Sequence, residues 1–354
     1  MFFGRPIIYI RFMNNEELII SEKINGFLAT HGYVEKLEIS SIAGAGSGRR
    51  YYRVKSGSKV SVLQVNPELG DEKKKEDFDR FVDYSKTFRE IGIAVPRVYV
   101  VDEKAGQILQ EDFGDRTLLD YVSPIDPQSG NVRILYQEVI DSLVSMQSRS
   151  TSLFLSRADI GARKFDYASL KWETDYFTEN YLGRHVGITE LPPSVRHLFA
   201  TLACIVDSHP KVLMHRDLQS QNIMVRPNSE VGFVDFQGAR RGSMYYDLAS
   251  LLWDPYVCLP LDLVKDFFDY WYKISGIKDY TKEEAWESFI QASLQRVMQA
   301  LGAYCFLSKV KKIEKFEKYI EPGKERLRLI LAEFRKTAKV ATEEVFQFME
   351  KALA

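Results

Sequence analysis

The densest run of chemistry-bearing residues is His215-Arg216-Asp217-Leu218-Gln219-Ser220-Gln221-Asn222. Its spacing is H-R-D-x-x-x-x-N, a pattern that accident would place in about one chain of this length in several hundred. A second carboxylate follows in Val231-Gly232-Phe233-Val234-Asp235-Phe236-Gln237, where an apolar run delivers Asp235 into a turn. The interval between Asp217 and Asp235 holds a strand, a tight turn and a returning strand, which puts Asp217, Asn222 and Asp235 at one end of a small hairpin. One carboxylate is then free to accept or orient a hydroxyl proton. The amide oxygen of Asn222 and the carboxylate of Asp235 form a hard-oxygen pair for a magnesium ion that brings its own phosphates. The chemistry this set implies is phosphoryl transfer. His215 reads as a packing residue that braces the loop rather than a catalyst or metal ligand.

These residues need a scaffold. Residues 15–31 read as a short amphipathic helix, with Leu18, Ile24, Phe27 and Leu28 inward and Gly32 as its stop. Strand runs follow at 37–43, 50–55 and 59–65, the last two joined by Ser56-Gly57-Ser58 as a tight hairpin. Residues 71–91 have a helical period, with Phe78, Phe81, Val82, Tyr84 and Phe88 toward a core, and strands recur at 97–101 and 106–111. Between the first two strand runs lies Gly44-Ala45-Gly46-Ser47-Gly48, whose glycines let backbone N–H groups approach phosphate oxygens; a flexible hairpin loop would look the same. The segment Gln110-Glu111-Asp112-Phe113-Gly114 is a connector whose backbone, from Glu111 to Phe113, can hydrogen-bond an adenine ring; an ordinary linker would look the same. Beyond Gly114 helical periods cover roughly 129–149, 165–183, 192–208, 245–254, 260–275, 281–309 and 320–350. The expected fold class is therefore α+β, with a mostly antiparallel strand-rich lobe at 1–112 and a larger helical lobe at 113–354.

Bulk composition narrows the partners. The 354 residues are 45% hydrophobic and 27% charged, with a formal net charge of −1, so no basic field recruits nucleic acid or an anionic membrane. Three dispersed cysteines, Cys204, Cys258 and Cys305, argue against a disulfide framework or zinc cluster and fit a reducing cytoplasm. No apolar run reaches the 18 or so residues needed to cross a bilayer. Residues 1–12 are apolar with two arginines but lack a small-residue cleavage site, and read as an upstream extension. Nothing in the sequence sets an oligomeric state.

Taken together, the chain resembles the aminoglycoside phosphotransferase and choline kinase superfamily, the small-molecule branch of the bilobal protein-kinase-like fold. Within it the chain is most similar to the amino-sugar kinases of cell-wall recycling, which act on N-acetylmuramate and N-acetylglucosamine. The pieces that carry the resemblance are Gly46-Ser47-Gly48-Arg49-Arg50-Tyr51-Tyr52-Arg53, Leu109-Gln110-Glu111-Asp112-Phe113-Gly114-Asp115, residues 215–224, Val234-Asp235-Phe236-Gln237-Gly238-Ala239-Arg240, residues 246–252, and Gln295-Arg296 with Gln299-Ala300-Leu301-Gly302. The resemblance implies ATP and Mg2+ as cofactors and a small-molecule hydroxyl substrate. It also implies Asp217 as base and Asn222 and Asp235 as magnesium ligands.

One departure stands out. A kinase carries on its third strand a lysine that holds the α- and β-phosphates, and here Val62-Leu63-Gln64-Val65 places Gln64 there. A glutamine donates a hydrogen bond but brings no charge, and losing such a contact costs on the order of 3 kcal/mol in the transition state. Either another cation substitutes, with Arg49 nearest the glycines, or the protein binds nucleotide and turns over slowly as a pseudokinase regulator. Any acidic helix partner of the lysine, such as Glu76, is equally in question. Asp247 follows Asp235 by only twelve positions, with no A-P-E triplet, which leaves no peptide-docking platform and favours a small molecule. Asp247 reads as a cap that braces the loop. Arg240 and Arg241 either meet an anionic substrate group, such as the carboxylate of N-acetylmuramate, or pair with nearby helices. An aminoglycoside would call for an acidic rim, for which Asp254 is the one candidate, and an amino alcohol is a further alternative. Tyr256, Gln295, Arg296 and Gln299 are candidates for a polar sugar pocket, Gln295 and Gln299 sharing a helix face.

Overall fold

The structure is a computed structural model that describes residues 8–11, 17–33, 36–42, 48–226, 230–337 and 340–354. The chain packs as two compact units, one of residues 1–115 with 226–237 and the other of 116–225 with 238–354. In chain order the first contains β1 (Ile8–Arg11), β2 (Glu17–Ile20), α1 (Glu22–Thr30), β3 (Glu38–Ile42), β4 (Arg50–Ser56), β5 (Lys59–Val65), α2 (Glu72–Glu90), β6 (Val98–Asp102) and β7 (Gln107–Gln110). The second begins with α3 (Leu118–Val122), α4 (Gly130–Ser148), α5 (Ser150–Ser156), α6 (Ala158–Ala162), α7 (Tyr167–Phe177), α8 (Pro193–Ser208), β8 (Lys211–Met214) and β9 (Ile223–Val225). The chain then adds β10 (Val231–Phe233) to the first unit. It completes the second with β11 (Arg240–Ser243), α9 (Tyr246–Leu252), α10 (Leu261–Ser275), α11 (Lys282–Cys305), α12 (Ile320–Thr337) and α13 (Glu343–Leu353).

The first unit is built on a five-stranded antiparallel sheet in the order β3-β4-β5-β7-β6. β4 and β5 close as a hairpin in which Ser56 pairs with Lys59 and Gly57 takes φ +59°, a left-handed turn position that glycine fills without strain. Leu18, Ile20, Ile24, Leu28, Tyr52, Val54, Leu63, Val65 and Leu109 share one core. α2 starts at Asp71, whose side chain accepts from the Lys74 amide, and buries Phe78, Phe81, Tyr84 and Phe88, with Val82 half-buried.

Three expectations change here. The helix over 15–31 begins only at Glu22, because Ser21 caps it through the Ile24 amide, and 17–20 instead form β2, paired antiparallel with β1. The apolar run alternates rather than following a helical period, with Leu18 and Ile20 buried and Ile19 46% exposed. Gln107 holds the run in place, its Nε2 donating to Ile19 O and its Oε1 accepting from the Ser21 amide. Residues 8–11, expected within an extension, are a strand. The single helical stretch over 320–350 is two helices, α12 and α13, with Phe334 and Phe346 meeting between them at 6.1 Å.

The second unit is helical. α11, opened by a Thr281–Glu284 capping box, is almost wholly buried from Phe289 to Met298 and packs against α7, α8, α9 and α12. β8 pairs antiparallel with β11, Met214 opposite Arg240. This pairing fixes both ends of the segment that holds the H-R-D motif.

Candidate active site

In the second unit the loop leaves β8 at Met214, and Asp247, in the first turn of α9, sets its shape. The Asp247 carboxylate accepts from the His215 amide at 2.6 Å and the Arg216 amide at 2.9 Å. Arg216 takes φ +83°, which a non-glycine residue holds only where its surroundings enforce it; these two hydrogen bonds do so. Burial pushes Asp247 up to about 6, against the pull of His215 and the two amides. His215 is buried, as a bracing residue should be.

Asp217 keeps 32% of its side chain exposed. Burial disfavours its ionisation, but Arg216, Arg296, His215 and Arg240 outweigh that and hold the carboxyl below its ordinary value. Its backbone carbonyl accepts from Asn222 Nδ2 at 2.9 Å and from the Gln219 amide at 2.9 Å. With the nitrogen of Asn222 so committed, its amide oxygen is the end left to a cation. Ser220 donates its amide to Asp254 at 2.7 Å, and Asp254 also accepts from the Tyr256 amide. Asp254 is therefore buried at 2% exposure under the loop and braces it.

Behind the loop, α11 supplies a polar cluster. Arg296 is buried; its Nε donates to Ser250 Oγ at 3.0 Å, its Nη1 to Gln299 Oε1 and its Nη2 to Gln219 Oε1 at 3.3 Å. Gln295, one residue earlier, donates instead to Leu170 O at 2.7 Å and Glu173 Oε2 at 3.2 Å. Glu173 also accepts from Tyr246 Oη at 2.7 Å, and burial pushes it up to about 7, with Arg216, Tyr246, Arg296 and Gln295 opposing. Tyr256 packs edge-on against Tyr304 and Tyr319. Arg240 Nε donates to Gly238 O and its guanidinium lies over Phe165, whereas that of Arg241 lies over Phe154.

In the first unit Asp235 follows β10 with φ +60° and 46% of its side chain exposed. Its Oδ1 accepts from Gln237 Nε2 at 2.6 Å and lies 3.5 Å from Arg49 Nη1. Phe236 stacks on Phe81 of α2, which anchors the turn. Gln64 is fully buried and donates to Asn66 Oδ1 at 3.0 Å. The connector is pinned by Arg53, which binds the Asp112 and Asp115 carboxylates and donates to Gly114 O at 3.1 Å. Glu111 accepts from the Arg97 amide, Arg89 and Arg226, and the Arg226 guanidinium sits 4.8 Å over the buried Phe113 ring.

The structure thus joins Asp217 and Asn222 to Arg296 and Gln299 through Gln219, and joins Asp254 and Tyr256 to the same loop. Gln295 instead bonds Leu170 and Glu173, while Arg49 lies by Asp235 and Arg226 links Glu111 to Phe113. Gly44, Gly46 and Ser47 lie outside the described residues, while Gly48 is described with φ +73°. The acidic partner on α2 is Asp77, 3.6 Å from Arg49, whereas Glu76 pairs with Arg80 at 2.9 Å. Sequence reasoning passed over Asp77, Arg53 and Glu173. For Asp77 the signal was the mixed-sign run at the start of α2; Arg53 shares a strand face with Arg49; Glu173 left no local signal.

Fold and site together describe a phosphotransferase. The chain belongs to the phosphotransferase enzyme family, whose model matches residues 38–286. An N-acetylmuramate/N-acetylglucosamine kinase of Pseudomonas aeruginosa is 27% identical over 77% of this chain and 78% of its own length. Among solved structures, an ethanolamine kinase of Plasmodium vivax matches with TM-score 0.58 at 15% identity over 85% of this chain and 84% of that one. The choline kinase LicA of Streptococcus pneumoniae matches with TM-score 0.57 at 14% identity over 88% and 98%. These likenesses establish the kinase-like fold.

Proposed function

We propose that the protein transfers the γ-phosphoryl group of ATP, in the presence of magnesium, to a hydroxyl of an amino sugar of the N-acetylmuramate/N-acetylglucosamine kind, at the anomeric position. The observation that carries the reading is the loop itself: an ionised, one-third exposed Asp217 whose carbonyl fixes the Asn222 amide. The amino-sugar relative, aligned over three-quarters of both chains, supplies the substrate class.

Among the described residues no three His, Cys, Asp or Glu side chains gather as a metal cage. A carboxylate and an amide oxygen are, by their chemistry, hard-oxygen ligands of the kind a magnesium ion carrying phosphates takes. Asn222 and Asp235 are the residues to hold it. When bound, ATP and magnesium supply the transferable group and neutralise its charge. Asp217 orients the acceptor hydroxyl and takes up its proton. Gln299, which Arg296 ties to Gln219, is the proposed reader of the sugar; the backbone from Glu111 to Phe113 is the proposed partner of the adenine ring. Three free cysteines fit a reducing cytoplasm.

The burial of Asp254 speaks against an acidic rim for a polycationic aminoglycoside. Gln64, uncharged where a lysine is usual, favours the second reading, a regulator that binds nucleotide without transfer. An ADP-release assay with ATP, magnesium and N-acetylmuramate, N-acetylglucosamine, kanamycin, choline and homoserine separates these. Turnover on the two acetylated sugars alone is expected. Turnover on kanamycin or choline would reassign the substrate, and tight nucleotide binding without any turnover would favour the regulator.

A further inference from the structure

The geometry points to Arg49 as the cation that holds the nucleotide's α- and β-phosphates, with Asp77 as its orienting carboxylate. The inference rests on the kinase reading and extends it to a residue that departs from the usual pattern. Phosphoryl transfer needs a positive side chain in the nucleotide-binding unit, steadied by an acid on the neighbouring helix. Gln64 does not meet that need. It is fully buried and uncharged, its Nε2 donates to Asn66 while its Oε1 has no partner among the described residues, and Asn66 in turn donates to Gly106 O at 3.0 Å. That chain ends in backbone, so Gln64 is a structural member of the sheet.

Arg49 meets the need from a different strand. It follows Gly48 and precedes β4, at the end of the glycine segment. Only 12% of its side chain is exposed, and the guanidinium lies between Asp77 Oδ2 at 3.6 Å and Asp235 Oδ1 at 3.5 Å. Both separations exceed those of a tight charge-assisted hydrogen bond, about 2.7–2.9 Å. The planar fork is thus held in position by two carboxylates and left able to take phosphate oxygens in pairs. Asp77 is itself steadied by Arg80 Nη2 at 2.5 Å. A pocket of about 170 Å³, lined by Gly48, Arg49, Asn66, Lys74 and Asp77 among others, opens beside the guanidinium and is of a size for phosphate groups. The lysine–glutamate pair of other kinases is here an arginine–aspartate pair, with the cation moved from β5 to the start of β4.

Calorimetric titration of ATP with magnesium, ADP and adenosine into wild type, Arg49→Ala, Arg49→Gln and Asp77→Asn tests this. Arg49→Ala and Arg49→Gln should bind ATP and ADP about tenfold or more weakly. Adenosine, which lacks phosphates, should bind as to wild type and so report an intact fold. Asp77→Asn should show a smaller loss of the same pattern. Wild-type ATP affinity in both Arg49 variants, or an equal loss for adenosine in both, would overturn the inference while leaving the kinase reading standing. A wild-type protein that binds no nucleotide would remove that reading, and the inference with it.

Discussion

At the scale of single residues, the site separates into groups that must stay charged and groups that need not. Asp217 has cations around it that favour its ionised form, whereas Glu173, which accepts from Tyr246 and Gln295, is pushed up to about 7 by burial. A carboxyl whose folded value lies above its unfolded value stabilises most at low pH. That contribution is full below about 4.5 and is lost as pH rises through about 7. The shift corresponds to on the order of 3 kcal/mol. Glu173→Gln carries no charge at any pH, so the difference in Tm, variant minus wild type, should rise by several degrees from pH 5 to pH 8 in thermal melts. A constant difference would show that Glu173 is ionised throughout. The residues legible in the sequence were those whose partners are close along the chain: Asp217 and Asn222 within one octapeptide, and Asp235 at the end of an apolar run. Asp77 beside Arg49, and Glu173 beneath Tyr246 and Gln295, are joined by contacts across 28 residues or more, and no local pattern encodes those.

Elements carry the second level of the account. The hairpin of β4 and β5, the helix α2 and the strands β6 and β7 were readable, because turn glycines, caps and period-two or period-3.6 apolar residues all agreed. The start of α1 was not, since Leu18, Ile19 and Ile20 fit a helix as well as a strand until Ser21 and Gln107 decide between them. In the same way, the helical period across α12 and α13 continues through their break. β10, which leads to Asp235, depends on a close approach: a Cβ on Gly232 would stand 2.4 Å from Phe113 Cε2 and 2.9 Å from Cδ2. Phe113 is buried and covered by Arg226, so it cannot simply turn aside. Gly232→Ala should cost about 1–3 kcal/mol and lower Tm by several degrees. It should also weaken ATP binding, because both β10 and the connector must move. An unchanged Tm would mean that this contact is slack.

For the molecule as a whole, the family match ends at residue 286, within the first turns of α11. The catalytic loop and Asp235 lie inside the matched span. Arg296 and Gln299 lie beyond it, in the part of α11 that reaches the loop through Gln219. The reaction class was legible from sequence because Asp217, Asn222 and Asp235 stand at a recognisable spacing, while the sugar was named only by resemblance. No helix among the described residues is long and apolar enough to cross a membrane. The most direct test is phosphorus NMR of the purified protein incubated with ATP, magnesium and N-acetylmuramate or N-acetylglucosamine. The account predicts a new sugar 1-phosphate resonance growing with ADP in wild type and nearly absent in Asp217→Asn, which should still bind ATP. Bound ATP with no sugar phosphate in wild type, or equal transfer by Asp217→Asn, would contradict it.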